Sequence, residues 1–192
     1  MTPDSEANPI GEMTVELLLT SLAENKRDRA LFNLFIATGL KLFEAHQLNH
    51  DSIKLREDPL TGRWTGQGSV EGKGGKRRKF SVDHVTVVFL IEYLETRTDR
   101  DPALFISERK TRFSKCAIQD TWMKLCRRLN APMSHIHQLR HTFATRMVNH
   151  DLPVIKLKEL MGHRSLTTTM GYYKLDEVKL AASYDAAMEW TC

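Results

Sequence analysis

Residues 135–147 read "HIHQLRHTFATRM", and residues 160–174 read "LMGHRSLTTTMGYYK". The first stretch has helical spacing over roughly 137 to 150, which sets His137 and Arg140 three apart on one face. The second begins as a helix end: Pro153 sits near the first turn of "PVIKLKELM", and Gly162 closes it. Beyond Gly162, "HRSLTTT" reads as an exposed polar turn that leads to two half-buried rings, Tyr172 and Tyr173. Neither stretch specifies chemistry alone. An HxxR pair also occurs on plain solvated faces, so its meaning depends on the surrounding sequence.

Upstream, Thr14 is a candidate N-cap for a helix that carries Val15, Leu18, Leu19 and Leu22 at helical spacing. A second helix, "RDRALFNLFIATG", places Leu31, Leu34 and Phe35 on one face and stops at Gly39. A short third helix follows in "KLFEAHQLNHD". Between about 52 and 81 the pattern changes, and glycines punctuate "SIKLRE", "GRWTGQ" and "RRKFSV" as the strands of a small antiparallel sheet. Asp83 then suits an N-cap for "HVTVVFLIEYLETR", despite its β-branched residues, and Ser114 caps "KCAIQDTWMKLCRRL" with Ile118, Trp122, Leu125 and Leu129 on one stripe. The tail from 175 to 190 is Ala-rich and amphipathic, with Leu180, Tyr184 and Met188 four apart. The expected architecture is mostly α with a small antiparallel β-sheet, an α+β fold. Residues 1–12, polar and Pro/Gly-bearing, read as a flexible lead-in or linker stub, and residues 13–192 as one domain.

The chain has 192 residues, 41% of them hydrophobic, enough for one sizeable core. Its formal charge is +4 and its Lys and Arg residues cluster, which favours a polyanionic partner. Cys116, Cys126 and Cys192 have no CxxC spacing, so neither a disulfide framework nor a Cys-based zinc site is suggested, and a reducing, cytoplasmic setting fits. There is no signal-peptide pattern and no apolar run near the roughly 18 residues that span a bilayer, so no membrane partner is expected. His135, His137 and His141 lack a matching carboxylate or Cys set, so no metal is expected, and "GKGGKRR" lacks the GxxxxGK[ST] of a P-loop.

Read in order, "TGLKLFEAHQL" at 38–48, "GKGGK" at 72–76, "HQLRHTFAT" at 137–145, "LMGH" at 160–163 and then Tyr172 form a series. It resembles the catalytic domain of the tyrosine recombinases, the phage integrase family, and most closely its Xer-like bacterial members. The resemblance runs from about Met13 to the end of the chain and implies that family's catalytic-domain fold. Carried over by position, it implies Tyr172 as nucleophile, Arg140, His137 and His163 as phosphate-binding groups, Lys73 as the hairpin lysine and Glu44 as the supporting acid. Where the family has arginine in "TGLR", this chain has Lys41.

These residue types suit phosphodiester chemistry. A tyrosine hydroxyl, with an ordinary pKa near 10, attacks phosphorus only when positive groups stabilise the transition state. Arg140 and Lys41 can clamp the non-bridging oxygens, His137 and His163 can donate to them, and Lys73 can protonate the leaving 5′-oxygen. No metal or other cofactor is then needed. A 3′-phosphotyrosine keeps the bond energy, so strands can be exchanged without ATP. The resemblance further implies double-stranded DNA recombination sites as partner and assembly from dimer to tetramer on DNA. Lys76, Arg77, Arg78, Lys79, Arg109, Lys110, Arg112, Lys115, Arg127 and Arg128 are the candidate DNA contacts. The alternatives are a catalytically impaired DNA-binding protein, for which Lys41 is the main support, and a type IB topoisomerase-like relaxing activity.

Overall fold

Asn25 and Gly39 bracket the helix on which most of the molecule is assembled. In the computed structural model, which describes residues 9–72, 75, 77–132, 135–173 and 188, helix α2 runs Lys26–Thr38. The Asn25 side chain accepts from the Asp28 amide at 3.0 Å. Gly39 ends the helix in the left-handed region at φ +58°, a conformation that most side chains disfavour. Ahead of it, α1 spans Glu12–Thr20. This corrects the expected cap at Thr14, which lies inside the helix. Glu12 in the first turn favours the earlier start by facing the helix dipole and pairing with Arg146, whose Nε donates to Glu12 Oε1 at 2.7 Å. Ile10 is already buried, and its N–H donates to Thr142 Oγ1 at 3.0 Å, so packing starts a few residues before Met13.

Helix α3, Leu42–Gln47, leads into the three-stranded antiparallel sheet β1 (Ile53–Glu57), β2 (Trp64–Glu71) and β3 (Arg77–Val82), ordered β1-β2-β3. Gly68 pairs with Phe80, and a Cβ there would meet the Phe80 ring at 2.4 Å, so the strand needs glycine to let that ring into the core. Helix α4, His84–Leu94, is capped by Asp83, and α5, Lys115–Arg128, by Ser114, as their sequences indicate. Helices α6 (His137–Asn149) and α7 (Val154–Met161) follow, the latter with Pro153 at its N-cap and Gly162 at φ +64° closing it.

Residues 166–170 depart from the expected exposed turn. They form a short helix α8, Leu166–Met170, begun by Ser165 Oγ accepting from the Thr167 amide at 3.1 Å. Thr169 is fully buried at its inner side. The expected tail helix lies outside the described residues except for Met188.

Helix α2 packs against α4, α6 and β3. The main core gathers side chains from α1 through α5 and the sheet, with Phe32 set against Trp122 at 5.0 Å. Each such buried apolar side chain contributes about 1.5–3 kcal/mol. A second, smaller cluster of Phe143, Ala144, Leu157 and Met161 lies behind α7, with Tyr172 and Tyr173 packed on it. Helix α6 divides its faces between the two, giving Leu139 to the main core and Phe143 to the small one.

Candidate active site at two converging helix ends

The last carbonyls of a helix have no partner within it and carry partial negative charge. Here the C-terminal ends of α2 and α7 meet, and two arginines satisfy both. Arg140 is buried, and its Nη1 and Nη2 donate to the carbonyls of Gly39 and Met161. Arg78 donates through Nη1 to the Leu160 carbonyl at 2.5 Å and through Nη2 to Glu44 at 2.7 Å. Gly162 permits this approach: a Cβ there would lie 2.7 Å from Arg78 Cδ. Burial, then the charge of Arg78, pulls the Arg140 pKa down to about 10, with Glu44 and Tyr172 opposing, so Arg140 stays charged at neutral pH.

Lys41 stands at the N-cap of α3, its amide donating to Glu44 Oε2 at 2.8 Å. Burial lowers its pKa, the Arg140 charge lowers it further, and Glu44 opposes. Glu44 is itself 3% exposed. Burial would raise its carboxyl, but the Arg78 hydrogen bond and charge, the Lys41 amide and Arg140 together hold it below the usual range. It is therefore ionised, and it orders the cations rather than acting as an acid.

Tyr172 leaves the end of α8 and reaches back to α6, where its hydroxyl meets Nδ1 of His141 at 2.5 Å. His163 stacks against the Tyr172 ring at 6.4 Å and an interplanar angle of 10°. Thr169 Oγ1 lies 3.0 Å from His163 Nδ1. Burial first, then Arg140, Lys41, Arg78 and His141, depress the His163 pKa to about 4, so the ring is neutral at pH 7 and Nε2 is free to carry its one proton if Nδ1 accepts from Thr169. The exposed His137 meets His141 edge-on at 4.8 Å. Tyr173 faces elsewhere, its hydroxyl donating to the Leu152 carbonyl, and burial raises its pKa.

Lys41, Glu44, Arg78 and His163 line a cleft of about 1130 Å³, together with Arg77, Lys79, Lys156, Lys158 and Arg164. Lys156, Lys158 and Arg164 were not among the residues singled out from sequence, although "IKLKE" shows α7 carrying two lysines. Lys73 and Lys76 lie outside the described residues. Two of the candidate DNA contacts, both half-buried, hydrogen-bond to other groups of the protein: Arg78 as above, and Arg112, which donates to the His46 and Leu48 carbonyls at 2.7 and 3.0 Å and to Asn49. Arg77, Lys79, Arg109, Lys110, Lys115, Arg127 and Arg128 are exposed. Lys115, Arg127 and Arg128 stand on α5 and Arg109 and Lys110 in the loop before it, and none of the five lines the cleft. Among the described residues there is no group of three or more potential metal ligands, and no helix is long and apolar enough to cross a membrane.

The family model described as "Phage integrase family" matches residues 10–178. The tyrosine recombinase XerA of Pyrococcus horikoshii is 32% identical over 173 residues, covering 88% of this chain and 58% of the relative. The tyrosine recombinase XerC of Alcanivorax borkumensis is 36% identical over 168 residues, covering 84% and 52%. The chain thus spans little more than half the length of these relatives. Among solved structures, that of XerA recombinase superposes with a TM-score of 0.77 at 24% identity, covering 96% of this chain and 66% of that one. The pre-cleavage complex of XerH with its difH substrate gives 0.77 at 22% identity, covering 96% and 55%. At these identities the superpositions establish a shared fold.

Proposed function

The chain belongs to the phage integrase family, and from that premise we propose that it is the catalytic domain of a site-specific DNA recombinase that cleaves and rejoins DNA through a 3′-phosphotyrosine. One observation carries this reading. Arg140 acts electrostatically on Lys41 and on His163, and Tyr172 acts on Arg140, so four groups suited to phosphoryl transfer share one field. Arg140 depresses the proton affinity of Lys41, and Arg140 and Lys41 together depress that of His163, and an anion among them relieves that repulsion. A phosphodiester is such an anion.

Tyr172 is the nucleophile. Arg140 and Lys41 hold the non-bridging oxygens, His163 donates from Nε2 with Thr169 fixing the ring, and His137, exposed at the start of α6, donates as the duplex arrives. Glu44 keeps Lys41 and Arg78 in place. Lys73 is the general acid for the 5′-oxygen. The cations of the cleft follow the phosphate backbone, and the chain assembles as a dimer to tetramer on paired sites in the cytoplasm, with no metal in the reaction. The named relatives are recombinases, which favours this reading over a DNA-holding scaffold or a relaxing topoisomerase. Lys41 in place of the family's arginine slows the reaction without abolishing it, because an ammonium keeps the charge and loses the planar fork.

The test is covalent capture. The chain is incubated with a pool of nicked duplexes randomised around the nick, and SDS-resistant protein–DNA adducts are recovered and sequenced. The expected outcome is an enriched sequence in the adducts, with Tyr172→Phe forming none while binding the enriched duplex with unchanged affinity, and Tyr173→Phe reacting within a few-fold of wild type. Adduct from Tyr172→Phe would remove the assignment.

A further inference from the structure

The nucleophile needs to lose a proton as its oxygen bonds to phosphorus, and the residues assigned so far act on the phosphate or on the leaving group. Resting on the recombinase reading above, we propose that His141 is a catalytic residue: its Nδ1 accepts the Tyr172 proton during cleavage and returns it during religation. The Tyr172 hydroxyl lies 2.5 Å from that nitrogen, within the range of a strong O–H···N hydrogen bond. This role requires the tautomer with hydrogen on Nε2, which leaves the Nδ1 lone pair to face the phenol.

The other histidines are placed for other tasks. His163 has its Nδ1 engaged by Thr169 at 3.0 Å, and its ring lies flat against the Tyr172 ring instead of pointing a nitrogen at the hydroxyl. Surrounding cations also make it a poor proton acceptor. His137 is exposed and lies edge-on against His141 at 4.8 Å. His141 is one residue beyond Arg140 on α6, so the helix that holds the phosphate-binding arginine also fixes the position of the base.

The step balances without any further reactant. Tyr172 Oη bonds to phosphorus, the bond from phosphorus to the 5′-oxygen breaks, the phenolic proton passes to His141, and the 5′-oxygen takes a proton from Lys73. Religation reverses each transfer: the 5′-hydroxyl gives its proton to Lys73, and His141 returns its proton to the departing Tyr172.

The experiment measures single-turnover adduct formation on the duplex enriched by wild-type capture, made both with an ordinary phosphodiester and with a 5′-bridging phosphorothiolate, whose sulfur leaves without protonation. His141→Ala and His141→Gln are each expected to slow the reaction on the order of 10²-fold at unchanged DNA affinity, on both substrates alike. Added imidazole is expected to restore His141→Ala in proportion to its concentration, by occupying the space left by the ring, and to leave His141→Gln slow. Glutamine keeps a hydrogen-bond acceptor but cannot take the proton, and it preserves most of the side-chain volume if alanine unfolds the chain. A His141→Gln rate near wild type would overturn the proposal, as would slow variants whose rate returns on the phosphorothiolate. Failure of the wild-type chain to form any adduct would instead remove the recombinase reading, and this inference with it.

Discussion

The main core and the small cluster behind α7 hold different parts of the site. Lys41 caps α3 and Glu44 lies on it, anchored by the main core, whereas His163 follows the end of α7 and Tyr172 packs on the small cluster of Phe143, Ala144, Leu157 and Met161. Four buried residues with two half-buried tyrosines contribute little once their ordering entropy is counted. Apolar packing alone would therefore let the Tyr172 side drift relative to the Lys41 side. Two guanidinium groups cross the seam instead. Arg140 ties Gly39 to Met161, and Arg78 ties Glu44 to Leu160. Directional hydrogen bonds to helix-end carbonyls fix the spacing between the Lys41 side and the His163 side of the cleft, where the small cluster has few buried contacts of its own.

The largest effect that would break this comparison comes from Arg78. Its removal leaves the Glu44 carboxylate buried without its ion-pair partner, and breaking such a pair costs about 3–5 kcal/mol. Arg78→Ala should therefore lower the urea midpoint strongly, while the exposed neighbour Arg77→Ala should change stability by less than about 0.5 kcal/mol. Equal, small losses from both would mean that the seam is held by packing alone.

Arg78 also shows where sequence reading stopped. Strand alternation places Arg78, Phe80 and Val82 on one face, with Phe80 and Val82 in the core and Arg77 and Lys79 facing out. The signal for an inward arginine was present, but a basic run reads first as a phosphate-binding surface, and its partners, the Glu44 carboxylate and the Leu160 carbonyl, lie far away along the chain. Arg112 likewise turns to the His46 and Leu48 carbonyls and the Asn49 side chain, which no sequence pattern reports. Local physics was legible: Asp83, Ser114, Gly39 and Gly162 end or begin helices because of one side chain or one dihedral angle. Thr14 failed as a cap because Glu12 reaches Arg146, far along the chain. His141 was weighed only as a metal ligand, since its meeting with Tyr172 depends on how the end of α8 returns to α6 across 31 residues of sequence.

On the main-core side of the seam, Lys41 gives the next largest effect. Losing one preorganised donor costs on the order of 10²–10³ in rate, and the retained ammonium reduces that to ~10–10². Lys41→Arg should speed adduct formation on the captured duplex by about that factor at similar affinity, and Lys41→Ala should fall well below both. An unchanged or slower Lys41→Arg would show that Glu44 and Arg140 already make lysine a competent clamp.

A smaller effect separates the inward arginine from its outward neighbours. Arg77 and Lys79 line the cleft with exposed side chains. If both touch phosphates, Arg77→Gln with Lys79→Gln should weaken binding to all duplexes alike and reduce the slope of log K against log salt by about 0.9 per lost contact. A slope unchanged by the double substitution would confine DNA binding to the α7 side, where Lys156→Gln with Lys158→Gln would then carry the effect.

The smallest predicted effect is on the small-cluster side, at His163. Burial and the cations across the seam hold its pKa at about 4, below its ordinary value near 6.5. Between those two values the unfolded chain binds more protons at this position than the folded one. Acidification through that window therefore costs stability, whereas above about pH 6.5 the position contributes no pH dependence. His163→Gln cannot titrate, so the melting temperature of wild type minus variant should fall as pH drops from about 6.5 to 4 and stay level above. Solvent screening of a half-buried ring keeps this modest. Adding the captured duplex should raise the His163 pKa, because a phosphate among Lys41, Arg140 and His163 favours the charged imidazole, and an NMR titration of the labelled ring reads that shift directly. A His163 that titrates near 6.5 without DNA would mean that the seam is open in solution and the cations of the main-core side do not reach it.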